Sequence, residues 1–224
     1  MSERRDVRAA VLRAGLHRMV AGGLRGVWQC GEVPDGAFVW AANHHSWWDP
    51  FIASALLHSL HREPSLIMQQ DNLDAYGFVR RLGVFGTAEP RRGLGYLGQG
   101  RVLVVFPEGR LRAPAATGPL AGGAAWYART ARVPLCAVAV RVLMRGQQAA
   151  EAYVSVAAVD STGTAAAATQ RLRSTLDGLV HSIDTLNAGS DPEAPLPGFQ
   201  PVLGGRRSWH ERIDLIGRWR PWRR

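Results

Sequence analysis

The segment Asn43-His44-His45-Ser46-Trp47-Trp48-Asp49-Pro50 places a histidine and an aspartate five positions apart. A carboxylate bonded to one imidazole nitrogen fixes the tautomer and leaves the other nitrogen free as a base. On one continuous helix only residues three or four apart are neighbours, so His44 and Asp49 would lie on different faces. They can meet only if His44 sits in a turn ahead of the helix. The flanking residues predict such a boundary. Phe38–Ala42 reads as a short buried strand. Asp49-Pro50 reads as a helix start, with Asp49 as N-cap and Pro50 at the first helical position, leading into a helix over 50–60. Taken singly, Asp49 also suits an ordinary helix cap, and His44 or His45 a structural histidine.

A second block lies downstream. Val102–Phe106 is an apolar strand that ends in the polar turn Pro107-Glu108-Gly109-Arg110. Apolar strands of this kind are buried on both faces, as in parallel sheets. Ligands of open α/β sheets bind just beyond the C-terminal ends of the strands. Both blocks are therefore expected to be strand-end loops on one edge of one sheet. Glycine at 109 allows close backbone approach.

Together, Asn43-His44-x-Ser46-x-x-Asp49-Pro50 and Phe106-Pro107-Glu108-Gly109 resemble two blocks of the glycerophospholipid acyltransferase family, the type that includes the 1-acylglycerol-3-phosphate acyltransferases. The resemblance covers roughly residues 35–145. Two weaker blocks fit the family's order: Leu82–Gly86 followed by Arg91-Arg92, and Arg132–Val140 around Val133-Pro134. It implies acyl transfer from acyl-CoA or acyl-carrier protein to a lipid hydroxyl, with His44 as base and Asp49 orienting it. No cofactor or metal is implied. Asn43, Ser46, Glu108 and Gly109 become candidates for substrate binding or loop bracing. Arg91, Arg92 and Arg110 become candidates for phosphate contact, since a guanidinium fork matches phosphate oxygens. Two departures are visible. Arg110 stands where the family usually has threonine, and Glu89 stands where its glycine-block arginine usually falls. The acceptor therefore stays open between a lysophospholipid and an uncharged lipid hydroxyl.

Other classes compete. A serine hydrolase would need a Gly-x-Ser-x-Gly elbow, which the sequence lacks. A metal hydrolase using His44, His45 and Asp49 would need a suitably bent loop, and a chelator would reveal it. A non-catalytic basic membrane-binding module would bind lipid regardless of His44.

The chain has 224 residues and a net charge of +9, and all its basic residues other than histidine are arginine. One domain with a substantial core is expected. Cys30 and Cys136 suggest neither a disulfide framework nor a metal site. There is no apolar run long enough to span a bilayer and no secretory core segment. The expected location is cytoplasmic, peripheral at the inner face of the membrane. Arginines concentrate at the ends, six within 1–28 and seven within 206–224, beside Val7, Val11, Trp28, Trp209, Ile213, Trp219 and Trp222. Arginine-flanked apolar stripes suit an anionic membrane surface. Basic patches with tryptophan also suit nucleic acid, but no recognised motif accompanies them, so no nucleic-acid partner is expected.

Strands alternating with helices predict an α/β layered fold with a mainly parallel sheet and amphipathic helices at both termini. The expected divisions are an N-terminal helix in 1–30, an acyltransferase domain over 31–187, and a linker with a basic tryptophan-rich tail over 188–224. The strand near 152–158 is expected at a sheet edge, antiparallel to the rest.

Overall fold

A computed structural model describes residues 7–209 and 211–213. Helix α1 spans Val7–Gly23 and is followed by strands β1 (Gly26–Cys30) and β2 (Val39–Ala42). Next come α2 (Asp49–Ser59), β3 (Pro64–Met68), α3 (Gln70–Ala75) and a 3₁₀ turn at Gly77–Leu82. Then follow β4 (Val84–Gly86), α4 (Pro90–Gly98), β5 (Val102–Val105) and α5 (Gly123–Ala131). The chain continues through β6 (Leu135–Leu143), β7 (Glu151–Val159), α6 (Ala165–Gly189) and β8 (Gln200–Gly204).

These strands form one eight-stranded sheet in the order β4-β3-β5-β2-β6-β7-β1-β8. From β4 to β6 every pairing is parallel. β7 runs antiparallel to β6, and β8 antiparallel to β1. Helices cover both faces, and the period-two alternation of the strands decides which residues meet which layer. Trp40, Ala42, Val102 and Val104 pack with Val20, Leu24, Ile52 and Leu56 from the side of α1 and α2. Val39, Ala41, Leu103 and Val105 pack with Leu97, Ala124, Ala128, Leu172 and Leu176 from the side of α4, α5 and α6. Cys136 lies in the core on the α1 and α2 side, and burial pushes its thiol up to about 12. It behaves as a small hydrophobe.

The glycines of α4 do not break it into a turn. Gly93 is buried, and a Cβ there would meet the Tyr127 and Phe85 rings at 2.6 and 2.8 Å, so glycine lets the helix lie close to its neighbours. The segment after β3 is divided in two: α3 ends at Ala75, and the chain tightens into the 3₁₀ turn ahead of Gly83.

Three expectations change in the tertiary structure. The N-terminal helix ends at Gly23, not near 30, and Val27 and Trp28 belong to β1, buried between β7 and β8. The paired glycines at 22 and 23 are poor helix formers, and β1 gains a paired strand on each side. β7 is not an edge strand, because β1 pairs along its outer side in parallel. The stretch beyond 188 is not a free linker: β8 completes the sheet, and Ser208 is buried against Gln147. Its root is also tied by Arg25, which bridges the buried Glu151 at 2.8 Å and Glu211 at 2.9 Å. The tail helix expected at the C-terminus lies largely outside the described residues.

Candidate active site

β2 is one of the two middle strands of the sheet, with β5 on one side and β6 on the other. The end of β2 aligns with the end of β5, through Ala41 opposite Val105, so both motif loops leave the same edge of the sheet. β6 is much longer. It pairs with Ala42 at Val138, and its remaining residues run on past the end of β2, beside the loop.

Asn43 manages the exit from the sheet. Its side-chain carbonyl accepts the N–H of Val140 at 2.7 Å, and its amide donates to the Val140 carbonyl at 3.0 Å. The side chain thus imitates the next peptide of β2 while the backbone turns away. Each such bond contributes about 0.5–1.5 kcal/mol net, and an orphaned partner in this buried place would cost about 1–3 kcal/mol. Asn43 has no solvent exposure, and its amide is occupied by the sheet.

His44 therefore lies in the turn ahead of α2, and its Nδ1 is 3.0 Å from Asp49 Oδ2. The same oxygen accepts the backbone N–H groups of His45 and Ser46, each at 2.8 Å. Asp49 is not the side-chain cap of α2. The residue before the helix, Trp48, makes no side-chain cap, and the Asp49 carboxylate turns back onto the loop. Ser46 Oγ accepts the N–H of Trp48 at 3.1 Å and so braces the same turn. The His44 ring stacks on Phe106, with centroids 4.5 Å apart. With Nδ1–H donated to Asp49, Nε2 carries the lone pair, and no protein group among the described residues occupies it. An imidazole held this way can take a proton from a bound hydroxyl and is stabilised as it becomes cationic.

Glu108 is also internal. Its Oε1 accepts the backbone N–H of His44 at 3.1 Å, and Oε2 accepts that of Gly118 at 3.2 Å. Arg112 Nε lies 3.0 Å from Oε2, and the Arg112 N–H donates to the His44 carbonyl at 2.8 Å. The Glu108 carboxylate is thus spent on tying two loops together. Gly109 adopts φ +69°, a conformation that favours glycine. A Cβ there would come no nearer than 3.8 Å to Gln69, so backbone conformation, not space, explains the residue.

The three arginines are separate from this cluster. Arg91 and Arg92 occupy the first turn of α4 with exposed side chains, around an open depression lined also by Ala88, Glu89 and Pro90. Glu89 is held by Arg80 at 2.9 Å and accepts the Gly86 N–H at 3.0 Å. That backbone bond, then Arg80, hold its carboxyl below the usual range. Arg110 is exposed in the turn after Gly109. The α4 start follows β4, three strands from β2 on the same edge, roughly 14 Å at about 4.8 Å per strand.

Two contributors were not singled out from the sequence. Arg112 stands in the loop beyond the polar turn, where nothing in the sequence marks an arginine as internal. Arg141 is buried on β6 and pairs with Asp184 of α6 at 2.6 Å. A signal existed: Arg141 interrupts the apolar run Leu135–Leu143, where a charge needs a partner.

The mostly parallel sheet with helices on both faces is an α/β fold, and it carries a carboxylate-bonded imidazole at the strand-end edge. The chain belongs to the acyltransferase family, whose model, described as Acyltransferase, matches residues 30–141, and it is an acyltransferase. The fold is similar to the crystal structure of the 1-acyl-sn-glycerophosphate (LPA) acyltransferase PlsC from Thermotoga maritima. That match has a TM-score of 0.58 and 16% sequence identity, and covers 85% of this chain and 86% of the other. No match was found among the curated proteins.

Proposed function

We propose that the protein transfers a fatty acyl group from acyl-CoA or acyl-carrier protein to a hydroxyl of a lysophospholipid-like acceptor, with His44 as the base. The observation that carries this reading is the contact of His44 Nδ1 with Asp49 at 3.0 Å, which leaves Nε2 unoccupied at the sheet edge. The acceptor hydroxyl loses its proton to His44 Nε2 as its oxygen attacks the thioester carbonyl. A C–O bond forms, the tetrahedral intermediate collapses, and the C–S bond breaks. The imidazolium returns its proton to the departing thiolate, giving a free thiol. Asp49 stabilises the imidazolium between these steps. A positioned base of this kind is typically worth about 10²–10⁴-fold.

A phosphorylated acceptor is supported by the exposed Arg91 and Arg92 and by Arg110, which share the sheet edge with the base. Guanidinium groups bind phosphate through charge-assisted hydrogen bonds. Membrane attachment is part of this proposal, because the acceptor is a lipid. Among the described residues no helix is long and apolar enough to cross a membrane. Val7, Val11, Trp209 and Ile213 are exposed near basic ends of the chain, a composition suited to an anionic lipid surface.

The test is an acyl-transfer assay with acyl-CoA and acyl-carrier protein donors against lysophosphatidic acid, other lysolipids and uncharged lipid alcohols. His44→Ala should abolish transfer to the preferred acceptor while the protein stays folded. Near-normal turnover by purified His44→Ala would show that the base is elsewhere. Preference for an uncharged acceptor would instead redirect the substrate class and keep the dyad.

A further inference from the structure

We infer that Arg141 is a positioning residue for the dyad, acting through His45. This role rests on the reading of His44 as the base. Arg141 Nε donates to Asp184 Oδ1 at 2.8 Å and Nη2 to Asp184 Oδ2 at 2.6 Å. Its remaining nitrogen, Nη1, contacts His45 Nδ1. A guanidinium has donors only and stays charged, so Nδ1 must present its lone pair. The proton of His45 is then on Nε2, and the ring is neutral.

That ring is almost completely buried, and its Nε2 has no hydrogen-bond partner, the nearest carboxylate oxygen being Glu108 Oε1 at 3.8 Å. The backbone N–H of His45 is one of the donors that hold Asp49. Glu108 in turn holds the N–H of His44. Arg141 therefore fixes the residue that lies between the two carboxylates that support the dyad. An ion pair with a buried member is a weak stabiliser compared with apolar packing, so stability alone is a poor account of it.

The charged groups around His45 decide what happens without Arg141. Burial first, and then Arg141, hold the His45 pKa below its ordinary value, against the pull of Glu108, Asp49 and Asp184. Removing the guanidinium leaves three carboxylates to attract a proton. The protonated ring would acquire a second N–H and draw Glu108 away from the His44 backbone. The damage should appear as pH falls through the raised His45 pKa and be small above it.

The experiment compares wild type, Arg141→Met, His45→Gln and the double variant. It uses kcat and KM across about pH 5–9, the range that brackets histidine titration, with nitrogen NMR of the histidine rings. Arg141→Met should lower kcat roughly ten- to a hundredfold on the acid side, the scale of a slightly misplaced catalytic group. KM should change little, and the acid limb should move to higher pH. In the NMR, His45 should change from a fixed neutral tautomer to a titrating ring. In the His45→Gln background the same substitution should add little. If Arg141→Met does not fold, Arg141→Gln, which keeps a polar side chain beside Asp184 and removes the charge from His45, carries the same readouts. An unchanged acid limb and an unchanged His45 tautomer would overturn the inference, as would fully additive losses in the double variant. An active His44→Ala combined with a His45 ring that still responds to Arg141→Met would sink the catalytic role and leave only a structural contact.

Discussion

Glu108 Oε1 accepts the backbone N–H of His44 at 3.1 Å, joining residues 64 positions apart in the chain. The second motif is thus built into the first. Its glutamate holds the turn that carries the histidine, while Arg112 returns a backbone hydrogen bond from the same loop. This gives the polar turn after β5 a physical task that does not require it to touch substrate.

Asp49→Asn should fold and lose most activity. The amide can still accept one bond, but it no longer supports an imidazolium, and its N–H groups would face the donors of His45 and Ser46. Turnover should fall by about 10²–10⁴-fold. Single-turnover kinetics on folded protein checks it, and a loss of less than threefold would contradict the orienting role.

Glu108→Gln should reduce kcat with little change in acceptor KM. The neutral amide keeps one acceptor for His44 but loses the charge beside Arg112. Stability should drop by about 1–3 kcal/mol, the scale of disturbing a buried hydrogen-bonded group. Urea denaturation and steady-state kinetics separate the two effects. A large rise in acceptor KM with unchanged kcat would instead assign Glu108 to substrate.

Arg91→Ala, Arg92→Ala and Arg110→Ala should each raise KM for a phosphorylated acceptor by about tenfold, or about 1.4 kcal/mol. The acyl donor KM should move less. Stability should hardly change, because all three side chains are exposed. If none of the three alters acceptor KM, the phosphate is held elsewhere or is absent from the substrate.

Truncation after Ile213 should weaken binding to anionic vesicles and leave the domain folded. The removed segment carries Arg218, Trp219, Arg220, Trp222, Arg223 and Arg224, whereas the anchoring contacts of Ser208 and Glu211 remain. Binding of the full chain should weaken with salt, since the Debye length is about 10 Å at 0.1 M. Vesicle sedimentation with neutral and anionic lipid reads this directly. Equal, salt-insensitive binding to both would remove the electrostatic contribution.

The sequence by itself determined the local parts. The apolar runs at Val39–Ala42 and Val102–Val105 specify buried parallel strands. Asp49-Pro50 marks the start of α2, and the five-residue spacing requires His44 to sit in the turn before it. Periodicity, turn chemistry and motif spacing act over a few residues, so they can be read along the chain. Only the tertiary structure decided the rest. Gly26–Cys30 and Gln200–Gly204 are short and undistinguished until β7 pairs with the first and the first with the second, so neither β1 nor β8 could be found from its own residues. The fate of the Asp49 carboxylate depended on whether helix N–H groups or loop N–H groups came nearer, and the loop prevailed. Arg141 became part of the site because β6 outruns β2 and α6 brings Asp184 beside it, 43 residues away. A buried charge is tolerable only where closure of the chain delivers its partner, and that partner cannot be read from spacing.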